Sequence, residues 1–445
     1  MKVLHVPYCY FPDAAGGTEV YVQALAREQQ ALGYEVEIAA PSAENSSYHY
    51  CGVLVRRFAT APKLTLRQLY GEGDPIAAET FENFALAGKP DVVHLHSFTS
   101  SVSTCVVRAI KRLQIPVAFT YHTPTVTCTR GTLLHFGERV CTGELSETEC
   151  CACTLQAHGL PRGACGALSR VPRGLSRISG PLWGIVAPRV RTVIEMPELI
   201  ELRIRAVQSL FEEVDCIVAV CDWIRDILIL NGVPASKITL ARQGLPNTSE
   251  VLVGEPPSCS EPLRLVFLGR LSKTKGIEML ANAVLSVPGE VRLDVYGVAQ
   301  DAEGLRIRDA LRQLAGKSPR IRLLPPLAPA EIVQALKNYH MLAVPSELLE
   351  TGPLVVYEAF AAGLPVLGSD LGGIAELVKD GHSGILVRHN AMSEWVRTIK
   401  VLAENPSVVA GLAANVPKPR TMAQVAAEMA DVYASIWKTA SVSVQ

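Results

Sequence analysis

Short apolar runs rich in β-branched residues alternate with longer amphipathic stretches in the first part of the chain. Strands are predicted at 2–6, 35–39, 91–96 and 117–121, and helices at 18–32 and 102–113. Continuous apolar runs separated by helical periodicity are typical of a parallel sheet covered on both faces. This pattern predicts a doubly wound α/β domain.

The pattern breaks from about 123 to 214, resumes at 215–221 and then meets a stretch rich in Pro, Gly and Ser. Strands are predicted again at 263–269, 291–296, 321–324, 341–344, 365–367 and 385–387, with helices between them. The chain is therefore predicted to be an α/β protein with two tandem Rossmann-like domains. Open α/β sheets bind ligands at the carboxyl ends of their strands, so we expect the active site where the domains face each other across a cleft.

The domain boundaries are predicted from these shifts in pattern. Residues 1–245 form a first domain with an insertion at about 123–214, residues 246–262 form a linker, and residues 263–418 form a second domain. The last segment, 419–445, contains a predicted helix that could cross back onto the first domain.

Composition and charge narrow the class of protein. A hydrophobic content of 49% over 445 residues supplies two cores, and 42 basic against 43 acidic residues give a net charge of −1. Nucleic-acid binding requires a basic field or stripe, so nucleic acid is not an expected partner. The sequence shows neither an apolar run long enough to span a membrane nor a secretory signal near Met1, which predicts a cytoplasmic protein.

Two loops that follow predicted strands carry groups suited to anions. Gly16 and Gly17 precede a helix, where backbone N–H groups can approach an anion, although a plain turn and helix cap would use the same residues. Arg270 and Lys275 suit a diphosphate, because a hydrogen bond to a charged group is worth roughly 1.5–3 kcal/mol. The alternative for this second loop is a solvated basic surface.

Two carboxylates follow a later strand of the second domain. Glu350 lies in a predicted loop, and Glu358 lies eight residues further on, on a predicted helix, so both can point into one cleft at different depths. Pro353 fits the first turn of that helix, and the amides of Leu354 and Val355 can face an oxyanion. A lone glutamate at a helix start is usually a surface residue that satisfies the helix dipole.

Several motifs occur in a fixed order along the chain. They are Gly16-Gly17, the loop with Gly269-Arg270 and Lys275-Gly276, Glu350 followed by Glu358-Ala359-Phe360-Ala361-Ala362-Gly363 and Pro365-Val366, and Gly372-Gly373-Ile374-Ala375-Glu376. This set closely resembles the retaining GT-B glycosyltransferases of family 4, over nearly the whole chain and most strongly from 263 to 390. The spacing of the two glutamates is specific to that family, whereas the first Gly-Gly pair is not. The resemblance implies a hexosyltransferase of class EC 2.4 that moves a sugar from a nucleotide diphosphate sugar to an acceptor hydroxyl with retention.

The resemblance also implies a role for each matching residue. His122 would lie near the sugar and the diphosphate, and Glu350 would grip the transferred sugar. Glu358 would hold the ribose, while Arg270 and Lys275 would neutralise the leaving diphosphate. The remaining donor-binding positions are Gly16, Gly17 and Leu354, which would donate backbone hydrogen bonds, and Thr351 and Gly352.

Three features bear on these roles. Many relatives have Phe-Gly where this chain has Gly352-Pro353, so one amide donor is lost and the identity of the donor stays open. No D-x-D motif occurs, so no catalytic divalent ion is expected. His94 and His96 lie on one face of a predicted strand, either as core or supporting residues or as a polar patch beside the acceptor.

The insertion is rich in cysteine. Its six cysteines are Cys128, Cys141, Cys150, Cys151, Cys153 and Cys165. Cys128, Cys141 and the Cys150-x-x-Cys153 pair can supply four thiolates to a structural Zn²⁺, which would stabilise a loop-rich insert without a sizeable core by about 10 kcal/mol or more. The alternatives are free or buried thiols in a mobile loop and an iron–sulfur cluster.

The insertion also contains a basic stretch. Six arginines and no acidic residue occur between 150 and 194, with Leu182, Trp183, Ile185 and Val186 among them. The arginines are Arg162, Arg170, Arg173, Arg177, Arg189 and Arg191. Such a stretch suits the anionic inner face of a membrane, at roughly 1 kcal/mol per cation, and with it a lipid-linked acceptor. A basic helix packed on its own domain is the alternative.

The sequence thus predicts a glycosyltransferase of polysaccharide, glycolipid or small-glycoside biosynthesis, acting on a glycan, a lipid-linked sugar or a small molecule. A sugar-nucleotide epimerase or sugar phosphorylase on the same fold is one alternative, and a non-catalytic nucleotide-sugar-binding scaffold is another. An epimerase alters the donor without an acceptor, a phosphorylase needs free phosphate, and a scaffold binds the donor without turnover.

Overall fold

The computed structural model describes residues 1–13, 16–172, 188–246 and 262–442. The chain divides into two compact units: unit 1 is Met1–Ala241 with Val425–Gln445, and unit 2 is Arg242–Gln424. This division falls four residues before the predicted end of the first domain at 245, and residues 247–261 of the predicted linker lie outside the described part.

Strands β1 to β16 have these bounds: Lys2–Val6, Glu35–Ser42, Ser46–Tyr50, Val53–Ala59, Val92–Leu95, Val117–Tyr121, Leu134–His135, Arg139–Val140, Cys216–Ala219, Ile238–Leu240, Leu263–Arg270, Val291–Val298, Ile321–Leu324, Met341–Val344, Val366–Ser369 and Gly384–Val387. Helices α1 to α15 have these: Gly17–Ala31, Pro75–Gly88, Thr104–Arg112, Glu147–Ala157, Arg162–Leu168, Pro188–Glu213, Asp222–Leu230, Ile277–Ser286, Ala302–Lys317, Ile332–Leu336, Leu354–Ala361, Gly372–Leu377, Met392–Glu404, Pro406–Ala414 and Met422–Val442.

Unit 1 contains an eight-stranded sheet in the order β10-β9-β6-β5-β1-β2-β4-β3. Its strands pair in parallel, except that β3 pairs antiparallel with β4 at one edge. Strand residues such as Val3, Val93 and Phe119 are fully buried, because helices cover both faces of the parallel part. The polar edge strand β3 is largely exposed, and no apolar alternation in its sequence predicted it.

Unit 2 contains a six-stranded parallel sheet in the order β13-β12-β11-β14-β15-β16. Fully buried side chains, among them Leu265, Leu280 and Trp395, form its core. Strands β11, β14 and β15 are neighbours, so the loops that leave their carboxyl ends lie at one edge of the sheet. These loops carry the donor-binding residues predicted for the second half of the chain.

The insertion between β6 and β9 has more core than the sequence suggested. It contains the β7–β8 hairpin and helices α4, α5 and α6, and the side chains of Cys151, Leu155, Cys165, Met196 and Ile200 form an apolar cluster of their own. The expectation of an insert without a sizeable core was therefore wrong, because the long helix α6 packs against α4 and α5.

The final helix, α15, passes from one unit to the other. Residues from Val425 onward belong to unit 1, where the ring of Tyr433 is fully buried. None of the described helices combines the length and the apolar character that a membrane span requires.

Candidate active site

The predicted donor-binding residues of unit 2 come from two adjacent loops. Arg270 ends β11, and a short 3₁₀ turn, Lys273–Lys275, follows it. Gly276 then adopts φ +68°, where a Cβ atom would lie 2.0 Å from the carbonyl oxygen of Pro345. Only glycine fits here, and its close approach joins the basic loop to the loop that carries Glu350.

Lys275 and Glu350 form an ion pair, with 2.5 Å between Nζ and Oε1. The Ser346 hydroxyl donates to the same oxygen over 2.6 Å. Burial favours a raised pKa for the Glu350 carboxyl, but the charge and hydrogen bond of Lys275, the hydrogen bond from Ser346 and the charge of Arg270 together hold that pKa below its usual value. Glu350 is therefore an ionised carboxylate next to two cations. The sequence placed all three charged residues in the site, but it indicated neither their pairing nor Ser346.

The Gly372-Gly373 pair supports the Glu350 loop from β15. The Gly373 N–H donates to the carbonyl oxygen of Glu350 over 2.7 Å. A Cβ atom on Gly373 would lie 2.5 Å from the backbone nitrogen of Gly352. This close backbone contact explains the second Gly-Gly motif, for which the sequence offered no role, and it holds Thr351 and Gly352 next to the ion pair.

Helix α11 carries the second glutamate. It begins at Leu354, and Pro353 is its N-cap with ψ 122°, so the prediction of Pro353 within the first turn was wrong by one residue. Glu358 is half-buried, and burial raises the pKa of its carboxyl to about 7. The two glutamates therefore differ in protonation near neutral pH: Glu350 is ionised, whereas Glu358 is partly protonated.

The Gly16-Gly17 pair of unit 1 begins helix α1. The Gly16 N–H donates to the Glu19 carboxylate over 2.7 Å, an arrangement that caps the helix. This matches the turn-and-cap alternative. Donation by Gly16 to a phosphate stays a prediction, and it requires Glu19 to release that amide.

His122 directly follows β6 and is buried at the end of a row of histidines. Its Nε2 lies 3.0 Å from Nδ1 of His96, whose Nε2 lies 2.9 Å from Nδ1 of His5. The His5 Nε2 lies 2.7 Å from the side-chain oxygen of Gln29, while the Gln29 amide nitrogen donates to the Tyr433 hydroxyl. An amide oxygen only accepts, so His5 carries its proton on Nε2, and by the same logic His96 and His122 each donate from Nε2.

A fourth histidine completes this network. His94 lies 2.7 Å from the Tyr433 hydroxyl through Nδ1 and 2.6 Å from the Thr120 hydroxyl through Nε2. Burial lowers the pKa of His122 to about 3 and that of His5 to about 4, and it also lowers the pKa values of His94 and His96 well below the usual range. These imidazoles are neutral at physiological pH, so His122 acts as a hydrogen-bonding group and not as a cation.

Three of these histidines also meet a distance criterion for metal binding. One ring nitrogen each from His5, His94 and His96 lies within 4.8 Å of the others. The ring nitrogens of all three residues, however, already have hydrogen-bond partners. Those of His5 are Gln29 and His96, those of His96 are His5 and His122, and those of His94 are Tyr433 and Thr120. The geometry is therefore that of a satisfied polar network.

The four cysteines predicted as metal ligands lie around one cavity. Cys128, Cys141, Cys150 and Cys153 line one cavity of about 220 Å³. Of the basic stretch, Arg173, Arg177 and the residues Leu182, Trp183, Ile185 and Val186 lie outside the described residues. Arg162 pairs with Glu138, and Arg191 pairs with Glu195 over 2.9 Å.

Both units match models of one enzyme class. Residues 262–405 match the family "Glycosyl transferases group 1", and residues 16–147 match "Glycosyl transferase 4-like domain". A D-inositol 3-phosphate glycosyltransferase of Nocardia farcinica is 28% identical over 407 residues, which cover 87% of this chain and 77% of that protein. The enzyme of the same name from Rhodococcus erythropolis is 31% identical over 193 residues, 42% of each chain.

Solved structures share the fold over nearly the full length. The Anabaena protein HepE in complex with UDP superposes with a TM-score of 0.66 at 16% identity, covering 98% of this chain and 100% of that one. A sucrose-phosphate synthase from Thermosynechococcus elongatus gives 0.65 at 17% identity, covering 99% and 100%. At these identities the similarity shows the fold alone.

The chain belongs to the group 1 glycosyltransferases, the retaining family 4 with the GT-B fold. It is a nucleotide-sugar-dependent glycosyltransferase of class EC 2.4. The predicted fold class, family and enzyme class are thereby confirmed.

Proposed function

We propose that this enzyme transfers a sugar from a UDP-sugar to a hydroxyl group of a small phosphorylated polyol. The observation that carries the proposal is the cluster of Arg270, Lys275 and Glu350 at the carboxyl edge of the unit 2 sheet. The choice of UDP rests on HepE, solved with UDP-glucose, and the choice of acceptor rests on relatives named D-inositol 3-phosphate glycosyltransferases.

The cluster suits the departure of a diphosphate. Transfer breaks the bond between the anomeric carbon and the diphosphate oxygen and forms a bond from that carbon to the acceptor oxygen, while the acceptor proton passes to the departing diphosphate. Arg270 and Lys275 stabilise the negative charge that develops on the diphosphate. The ionised Glu350 accepts hydrogen bonds from sugar hydroxyls, and the neutral His122 contributes a hydrogen bond and no charge. Thr351, Gly352 and the amide of Leu354 line the same edge, and Glu358 holds the ribose.

We also place the enzyme in the cytoplasm, where nucleotide sugars are made. Every cysteine in the described ranges is a free thiol, as is usual for a reducing compartment. Contact with an anionic membrane through the arginine-rich stretch remains a prediction, which sedimentation with vesicles of phosphatidylserine and phosphatidylcholine would test.

The test is a transfer assay with UDP-, GDP- and ADP-glucose and UDP-N-acetylglucosamine as donors and D-inositol 3-phosphate as acceptor, with the anomeric configuration read by NMR. Glu350→Ala, Arg270→Ala and Lys275→Ala should each abolish most transfer while the far-ultraviolet circular dichroism stays unchanged. Lys273→Ala is the matched control, because that exposed lysine lies in the same turn. Full activity in all three site variants, or an inverted product, would overturn the assignment.

A further inference from the structure

Four cysteines of the insertion surround one cavity in unit 1. Cys128 lies in the loop after β6, Cys141 directly follows β8, and Cys150 and Cys153 lie in the first two turns of α4. A spacing of three residues places the last two on one face of that helix. Three separate segments of chain therefore bring four thiols to a cavity of about 220 Å³.

The backbone around this cavity donates a hydrogen bond to one of the four sulfurs. The Phe136 N–H donates to the sulfur of Cys153 over 3.2 Å, and the Cys141 N–H donates to the carbonyl oxygen of Leu133 over 2.8 Å. Leu133 and Phe136 adopt φ values of +50° and +53°, which non-glycine residues adopt at some cost in energy. Around the hairpin, the backbone thus adopts an energetically unfavourable conformation in which the Phe136 N–H points at the sulfur of Cys153.

Two arginines lie beside the cluster. Arg130 donates from Nη1 to the carbonyl oxygen of Cys153 over 3.1 Å, and its charge interacts with that thiol. Arg203 donates to the carbonyl oxygen of Thr125 over 2.7 Å, and its charge interacts with Cys128. Four thiolates around a divalent cation carry a net charge of −2, and these two guanidinium groups offset it.

The other cysteines of the insertion are used differently. Cys151 and Cys165 are fully buried in the apolar cluster with Leu155 and Met196. Among the other residues that line the cavity, His135 lies 3.7 Å through Nε2 from the Glu149 carboxylate. Of the six cysteines of the insertion, the four cavity thiols are therefore the ones available to a metal ion.

We propose that Cys128, Cys141, Cys150 and Cys153 bind one structural Zn²⁺ in a tetrahedral four-thiolate site. Binding releases four thiol protons to solvent and forms four Zn–S bonds of about 2.3 Å. Among the described residues, only His5, His94 and His96 have ligand atoms that all lie within 4.8 Å of one another. The four sulfur atoms are further apart, around the wall of their cavity. Zinc therefore draws the hairpin and helix α4 together.

The proposed metal site is connected to His122 by a short length of chain. Cys128 lies six residues after His122, and the Tyr121 hydroxyl lies 2.7 Å from that of Thr127. A metal that anchors Cys128 fixes the loop that leaves β6, and with it the position of His122.

The experiment measures metal in the full chain, purified from zinc-supplemented cells, by inductively coupled plasma mass spectrometry. We expect one Zn per chain. Cys→Ser at 128, 141, 150 or 153 should reduce this severalfold. Cys51→Ser, at an exposed thiol, and Cys151→Ala, next to a proposed ligand, are matched controls that should retain the metal.

A second measurement avoids any variant that fails to fold. Chelator-treated wild-type protein is titrated with Co²⁺, and a four-thiolate site gives sulfur-to-cobalt charge-transfer absorption together with the visible bands of tetrahedral cobalt. Backbone amides of the β7–β8 hairpin should exchange hydrogen more slowly once Zn²⁺ is restored. Substoichiometric zinc without the cobalt bands, iron with inorganic sulfide, or full zinc content in all four serine variants would each overturn the proposal.

Discussion

Replacing Lys275 with methionine removes one member of an ion pair and keeps a side chain of similar length. The two side chains are 22% and 11% exposed, and their charged atoms lie 2.5 Å apart. The variant leaves the Glu350 carboxylate without its ammonium partner in a site that is largely closed to water. We expect this change to destabilise unit 2 independently of any effect on donor binding.

The expected cost is about 3 kcal/mol. Removing one partner of a buried pair costs about 3–5 kcal/mol, and the remaining exposure of Lys275 to water places this pair at the lower end of that range. Once Lys275 is removed, burial is the largest remaining influence on the pKa of Glu350, and we expect that pKa to rise above its unfolded value. The cost is then largest at neutral pH and shrinks as the pH falls toward 4, because the carboxyl takes up a proton.

Hydrogen exchange detected by mass spectrometry separates unit 2 from unit 1. The informative peptides cover β14 and α11 of unit 2, and the variants are K275M, E350Q and the double variant, each at pH 7 and pH 5. Lys273→Met is the matched control, because that exposed lysine lies in the same turn and its loss should change stability by less than about 0.5 kcal/mol.

The double variant should be more stable than K275M alone, because neither charge is then left unpaired. Equal protection in K275M and K273M at pH 7 would refute the reasoning. The reasoning would also be refuted if K275M lost protection from hydrogen exchange and neither a shift to pH 5 nor the added E350Q substitution restored it.

Three further predictions concern the two units. Acid should destabilise unit 1 between pH 6.5 and about 4 by about 1.4 kcal/mol per pH unit for each of His5 and His122, measured by urea unfolding, because the unfolded chain takes up protons that the folded network excludes. Gln29→Leu removes the hydrogen-bond partner of His5 and Tyr433 and should lower the free energy of unfolding by about 2 kcal/mol or more in the same assay. Gln30→Leu, at an exposed site, should change it little. Gly276→Ala should lower the melting temperature strongly because of the 2.0 Å approach to Pro345, whereas Gly316→Ala inside α9 should raise it. The second prediction would be contradicted if Gln29→Leu and Gln30→Leu had equal effects, and the third if Gly276→Ala and Gly316→Ala did.

The pattern of apolar residues along the sequence was sufficient to predict most of the fold. The predicted bounds of β1, β6, β13 and β14 are those of the structure, because strands buried on both faces leave uninterrupted apolar runs. Helix α2 and the hairpin of β3 and β4 were missed. The polar edge strand carries no apolar alternation, and the sequence around α2 was not recognised as helical.

The candidate site was predicted as a set of residues and not as an arrangement. The types and order of Arg270, Lys275, Glu350 and Glu358 pointed to a diphosphate-binding loop and two carboxylates. The pairing of Lys275 with Glu350, which are 75 residues apart, follows from the adjacency of β11 and β14. Periodicity along one segment contains no information about which strands are neighbours.

The amino-acid sequence by itself determined the two α/β units, the family and the residue types at the candidate donor site, because apolar periodicity and short motifs are local properties of a chain. The tertiary structure alone decided which carboxyl is ionised, which nitrogen of His5, His96 and His122 holds its proton, and that Tyr433 of the last helix joins the network of His94. Those properties depend on desolvation and on contacts between distant segments, and such contacts exist only once the chain has packed.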